Sequence, residues 1–134
     1  DPSFRIGVRI AGTQQIGILS GQGSNKAVLQ LIDNQTTLRV GDVLLARGSQ
    51  QNRPFVPGVP VGSVLSVDNS AGAVAQSASV KFYTNFSALG VVAVVVGAPK
   101  TDPRDALVPA KPSPRPVPTI TILVTPSPSP TATK

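Results

Sequence analysis

The side chains that carry most enzyme chemistry are missing from this chain of 134 residues. It has no Cys and no His, and its six acidic residues are all aspartates: Asp1, Asp33, Asp42, Asp68, Asp102 and Asp105. Without thiol or imidazole there is no thiolate nucleophile, no Ser–His relay and no Cys/His zinc cluster. Acid–base chemistry would fall to a pair of aspartates. Their spacing points to no such pair, and Asp33, Asp42 and Asp68 each sit in an ordinary turn context. In Leu38–Leu45 (LRVGDVLL), Gly41 suits a left-handed turn and the Asp42 carboxylate suits a nearby backbone N–H. Ser20–Ser24 (SGQGS) has the glycines of a phosphate loop, but a strand pattern follows instead of a helix, so it reads as a hairpin. The expectation is a protein that is not an enzyme, with no catalytic residue, no metal and no cofactor.

The elements that position these residues are short and apolar at alternate places. Phe4–Ile10 sets Phe4, Ile6, Val8 and Ile10 against Arg5, Gly7 and Arg9, the pattern of a half-buried strand. Gln15–Leu19, Ala27–Ile32, Asp42–Ala46, Gly62–Asp68 and Ser77–Tyr83 read the same way. Leu89–Val96 (LGVVAVVV) is apolar on both faces and predicts a central strand. Turn residues separate all of these, and no helical window is free of Gly or Pro. The fold class is therefore all-β: a small six- or seven-stranded antiparallel β-barrel.

A composition boundary falls near Pro99. All twelve Gly lie before it, whereas nine of the fourteen Pro lie between Pro103 and Pro130. Residues 1–99 form the barrel domain, and residues 100–134 a Pro/Ser/Thr-rich tail, expected to be a disordered, extended spacer. Within it Thr119–Thr125 (TITILVT) alternates β-branched residues, but prolines confine it. The formal charge of +6 is divided between the two parts and forms no basic run. No apolar stretch approaches the roughly 18 residues that span a bilayer.

Pro54–Gly62 (PFVPGVPVG) predicts a stiff rim loop, with a type II turn at Pro57-Gly58 and the next strand entering at Gly62. Arg53 and Phe55 on that loop are the candidate partner-binding residues; alternatively, Phe55 plugs the barrel end. Phe82, Tyr83 and Phe86 follow Lys81, as in an oligonucleotide-binding barrel. Phe82 and Tyr83 are adjacent, however, so they face opposite sides and make no common stacking platform.

Leu38–Ser49 (LRVGDVLLARGS) followed by Pro54–Val67 (PFVPGVPVGSVLSV) resembles the signature of the rod shape-determining MreC family. Ile6–Gly23 is similar to that family's preceding hairpin, Lys81–Val96 to its closing strands, and Thr101–Pro112 to an extension in members from high-GC bacteria. The resemblance implies an extracytoplasmic scaffold of the cell-elongation (rod) complex, which supports peptidoglycan synthesis and cell shape. It implies contact with the elongation-specific penicillin-binding transpeptidase, and with MreD, RodA and MreB through the complex. It also implies a single-pass membrane anchor and a coiled coil, neither of which these residues contain. The chain is thus expected to be the second β-domain of a longer protein, on the outer face of the bacterial cell membrane. Self-association through an unpaired strand edge is a further expectation. The alternative function is a nucleic-acid-binding barrel, suggested by the basic pI but opposed by dispersed charge and few aromatics.

Overall fold

The computed structural model describes residues 1–23, 25–33, 37–50, 54–68 and 75–113. Among these residues six strands form: β1 (Arg5–Ile10), β2 (Ile16–Gly21), β3 (Lys26–Leu31), β4 (Val43–Ala46), β5 (Pro60–Asp68) and β6 (Ser77–Phe82). They close into a barrel in the order β1-β2-β3-β6-β5-β4, and β4 pairs back onto β1. Every pairing is antiparallel. The chain makes two meanders, β1–β3 and β4–β6. The connection between them crosses the barrel, so that β4 lies against β1 and β6 against β3.

Alternation along the strands fills the interior. Ile6, Val8 and Ile10 of β1 point inward with Leu19, Ala27, Leu29, Leu31, Leu44, Ala46, Val64, Ala78 and Val80. Alanines on β3, β4 and β6 leave room for leucines on their neighbours, as a tapering barrel requires. Burying each of Leu19, Leu29 and Leu44 completely contributes about 1.5–3 kcal/mol before ordering entropy is subtracted. Gly17 also points inward, and the methyl tips of Leu29 and Leu31 occupy the space its side chain would need: a Cβ there would lie 2.7 Å from Leu29 Cδ1.

The turns follow their sequences. Gly41 and Gly58 take positive φ, at 93° and 81°. Asp42 Oδ2 accepts the Arg39 N–H at 2.9 Å, closing the Gly41-Asp42 turn. β5 starts at Pro60, two residues before the predicted entry. Its missing N–H is accommodated because the register with β4 shifts there, between Leu44 and Leu45.

The predicted seventh strand is not present among the described residues. Leu89–Val96 forms no strand and lies exposed, with Val91 at 99% and Val96 at 94% of full accessibility. The reason is closure: once β4 pairs with β1 and β6 with β3, each of the six strands has two neighbours, so no edge remains to receive another strand or to template the self-association expected through an unpaired edge.

Residues beyond this ribbon return to the barrel. Arg9 faces outward on β1 yet is only 4% exposed. Its guanidinium is 2.9 Å from Asp105 Oδ1 and 3.3 Å from Asp102 Oδ1. The Gly12 N–H donates to Asp105 Oδ2 at 2.9 Å. Pro103 lies against Gly58, where an added Cβ would collide with its ring. The stretch Asp102–Asp105, at the start of the Pro/Ser/Thr-rich segment, therefore clamps the outer surface of β1 and the β4–β5 loop. The remainder of that segment, from residue 114, lies outside the described residues and includes Thr119–Thr125.

Candidate functional site

Antiparallel alternation decides which residues share each end of the barrel. The starts of β1, β3 and β5 and the ends of β2, β4 and β6 all lie at one mouth. All four phenylalanines of the chain gather there. Phe4 precedes β1, Phe55 belongs to the β4–β5 loop, Phe82 ends β6 and Phe86 lies in the turn after it. Phe4 and Phe55 meet edge to face, with ring centroids 5.8 Å apart. Phe82 and Phe86 make a second edge-to-face pair at 5.3 Å. Phe4, Phe55 and Phe82 are half-buried against the core, and Phe86 is exposed.

Between these pairs opens a cleft of about 370 Å³, lined by Phe4, Phe82 and Phe86, the glycines Gly21 and Gly23, and Asp1, Asn25 and Ser87. Its walls are fixed by hydrogen bonds. Gly21 N–H donates to the Phe4 carbonyl at 3.0 Å. Asn25 Nδ2 donates to Asn85 Oδ1 at 2.9 Å, tying the β2–β3 hairpin to the turn after β6. That same oxygen accepts the Ser87 N–H at 3.1 Å. Gly21 is required by close approach, because a Cβ there would run into the Asp1 carbonyl. An apolar cleft with a few fixed polar groups is a binding shape.

Phe55 stands at this mouth. Its N–H donates to Ser49 Oγ at 3.2 Å and its carbonyl accepts the Ser49 N–H at 3.1 Å, so Phe55 is tied to Ser49 and its ring packs against the core. Arg53 lies outside the described residues. Sequence reasoning missed Phe4, Phe82 and Phe86 as one group, since only strand order brings them together. Tyr83, just past the end of β6, is exposed and is not among the residues that line the cleft. Phe82 and Phe86 are turned against each other and present no pair of open ring faces for successive bases.

Around the mouth stand four exposed cations: Arg5 at the start of β1, Lys26 at the start of β3, Arg47 just after β4, and Lys81 beside Phe82. Lys26 and Lys81 are direct cross-strand partners. Among the described residues the only carboxylate at this end is that of Asp1, whose Oδ1 accepts both the N–H and the hydroxyl of Ser3. The other five aspartates lie toward the far end. Asp33, Asp42 and Asp68 are there by strand order, and Asp102 and Asp105 by their bonds to Arg9 and Gly12. Among the described residues no three acidic, His or Cys side chains come together as a metal site would require.

Comparison with known proteins accords with this architecture. The family described as rod shape-determining protein MreC, barrel core, matches residues 1–96. No curated protein matches the chain. A solved structure of MreC is 24% identical with a TM-score of 0.52, covering 61% of this chain and 46% of that one. The structure of MreC from Pseudomonas aeruginosa is also 24% identical, with a TM-score of 0.49, covering 62% of this chain and 54% of that one. The chain thus spans about half the length of the solved structures it matches. With its closed barrel and a family match running through all six strands, the chain belongs to the MreC family of rod shape-determining proteins.

Proposed function

We propose that this chain is a non-catalytic scaffold domain of the bacterial cell-elongation machinery, one that holds peptidoglycan-synthesis proteins together during rod-shaped growth. The observation that carries the reading is the family match across the whole barrel, which brings with it a role in determining rod shape. The mouth supports it: a cleft walled by aromatic rings suits the binding of side chains, and among the described residues no cluster of metal-ligating side chains forms. The elongation-specific penicillin-binding transpeptidase is the first partner to expect, with MreD, RodA and MreB reached through the assembled complex. The site of action is the extracytoplasmic face of the cell membrane, with anchoring supplied outside the barrel. No helix among the described residues is long and apolar enough to cross a membrane.

Capture of the transpeptidase ectodomain on the immobilised chain tests this reading. Retention of the ectodomain, together with loss of rod shape in cells where the chain is deleted in place, is the expected result. Absence of binding by both this chain and its full-length parent counts against the scaffold role.

A further inference from the structure

The two ends of the barrel differ in charge as well as in shape. Among the described residues the mouth carries Arg5, Lys26, Arg47 and Lys81 against Asp1, while the five remaining aspartates stand toward the opposite end with Arg9, Arg39 and Arg104. A positive collar around a concave apolar site attracts negative groups and focuses their approach. The cleft itself, at about 370 Å³, holds one or two large apolar side chains. From this combination we infer that the phenylalanine mouth is the docking site for a partner segment presenting a large apolar side chain flanked by acidic residues. The inference rests on the scaffold reading and specifies which surface serves it and what chemistry the partner brings.

Three observations select that occupant. The rings of Phe4 and Phe82 are half-buried and line a recess, so the apolar surface receives a side chain and does not project to insert into lipid. The like-charged pair Lys26 and Lys81 stands beside the recess, next to Asn25 and Phe82 of its lining, where flanking carboxylates of a bound peptide would fall. The rim is also prearranged, because the Asn25–Asn85 bond and the Phe82–Phe86 contact fix its two sides. Little ordering is then left for binding to impose.

The test uses the full chain and two short labelled peptides with a central Leu-Trp, one flanked by aspartates and the other by lysines. The aspartate peptide is expected to bind at least about tenfold more tightly and to weaken as salt rises. Amide shifts should concentrate at Gly21, Gly23, Asn25, Phe82 and Ser87. Lys26→Glu combined with Lys81→Glu should weaken binding about tenfold, and Lys81→Glu alone should weaken it in the same direction. Phe86→Ala should do so through loss of a cleft wall. Equal binding of the two peptides, binding unaffected by the double reversal, or shifts centred elsewhere would overturn the inference. So would preferential association with phosphatidylglycerol–phosphatidylcholine vesicles, or self-association abolished by the double reversal. The transpeptidase capture separates the two readings. Ectodomain held equally by wild type and double variant leaves the scaffold role standing and removes this site. Ectodomain not held at all, with the aspartate peptide still bound at the mouth, does the reverse.

Discussion

Arg9 and Asp105 stand ninety-six positions apart in the chain and 2.9 Å apart in the fold. Asp105 also accepts the Gly12 N–H, so one carboxylate joins a strand residue and the turn that follows it. The guanidinium is almost wholly covered, whereas both carboxylates remain about two-fifths exposed. Solvent screening therefore discounts the pair well below a fully buried one. Asp105→Ala is expected to cost about 1–2 kcal/mol, and Arg9→Ala somewhat more because its packed stem is lost as well. Truncation after Pro99 should cost at least as much as Asp105→Ala, while truncation after residue 113 removes none of the described bonds and should leave melting unchanged. Thermal unfolding of the four proteins checks this; a truncation at Pro99 that melts like the full chain would show the clamp contributes nothing.

Gly58 couples that clamp to the rim loop. Its φ of 81° is one that side chains with a Cβ adopt at a cost, and the space above it is filled by Pro103. Gly58→Ala should destabilise by about 1–2 kcal/mol from the backbone alone, plus the displacement of Pro103. Adding Pro103→Ala should recover the second part and not the first. Chemical denaturation of the single and double variants gives the coupling, and strict additivity of the two substitutions would show that the contact carries no energy.

Strand positions were legible because alternation is a local signal. Ile6, Val8 and Ile10 identify the inner face of β1 without any knowledge of its neighbours, and the Gly41-Asp42 and Pro57-Gly58 turns are legible from backbone chemistry. Leu89–Val96 shows the limit. Its valines express a preference for a sheet, but whether a sheet has room depends on closure, which β4 achieves by pairing with β1 across the chain. The clamp was hidden for the same reason, since nothing near Arg9 in sequence announces Asp102 or Asp105. The phenylalanine mouth was half legible: Phe55 stood out beside prolines, whereas Phe4, Phe82 and Phe86 become one site only through strand order. Arg53, its sequence companion, lies outside the described residues.

The four phenylalanines should separate into structural and accessible roles. Phe55 packs on the core and on Phe4 and is tied to Ser49. Phe55→Ala is expected to lose about 2 kcal/mol, below the range for a fully buried ring because this one is half-buried. Phe86 is 54% exposed and meets Phe82 edge to face. Its replacement by Ala should change stability by no more than about 1 kcal/mol, the scale of one aromatic pair. Urea unfolding midpoints at constant slope distinguish the two. Equal losses at both positions would mean the turn after β6 is as much part of the core as the rim loop.

The ribbon offers the sharpest separation of stability from association. Leu89, Val91, Val92, Val94, Val95 and Val96 are all exposed, yet the family match extends through residue 96. A contiguous apolar stretch of this kind is a surface for association, and it holds β-branched residues without a ladder to occupy. Val92→Lys with Val94→Lys should therefore reduce concentration-dependent association measured by sedimentation. The same pair should shift stability by no more than about 0.5 kcal/mol per site, because neither side chain packs on the barrel. Association that persists in the lysine variant would assign it to another surface. A melting temperature lowered by more than about 8 °C would show that the ribbon packs onto the barrel after all, since that drop corresponds to 1–2 kcal/mol in a domain of this size.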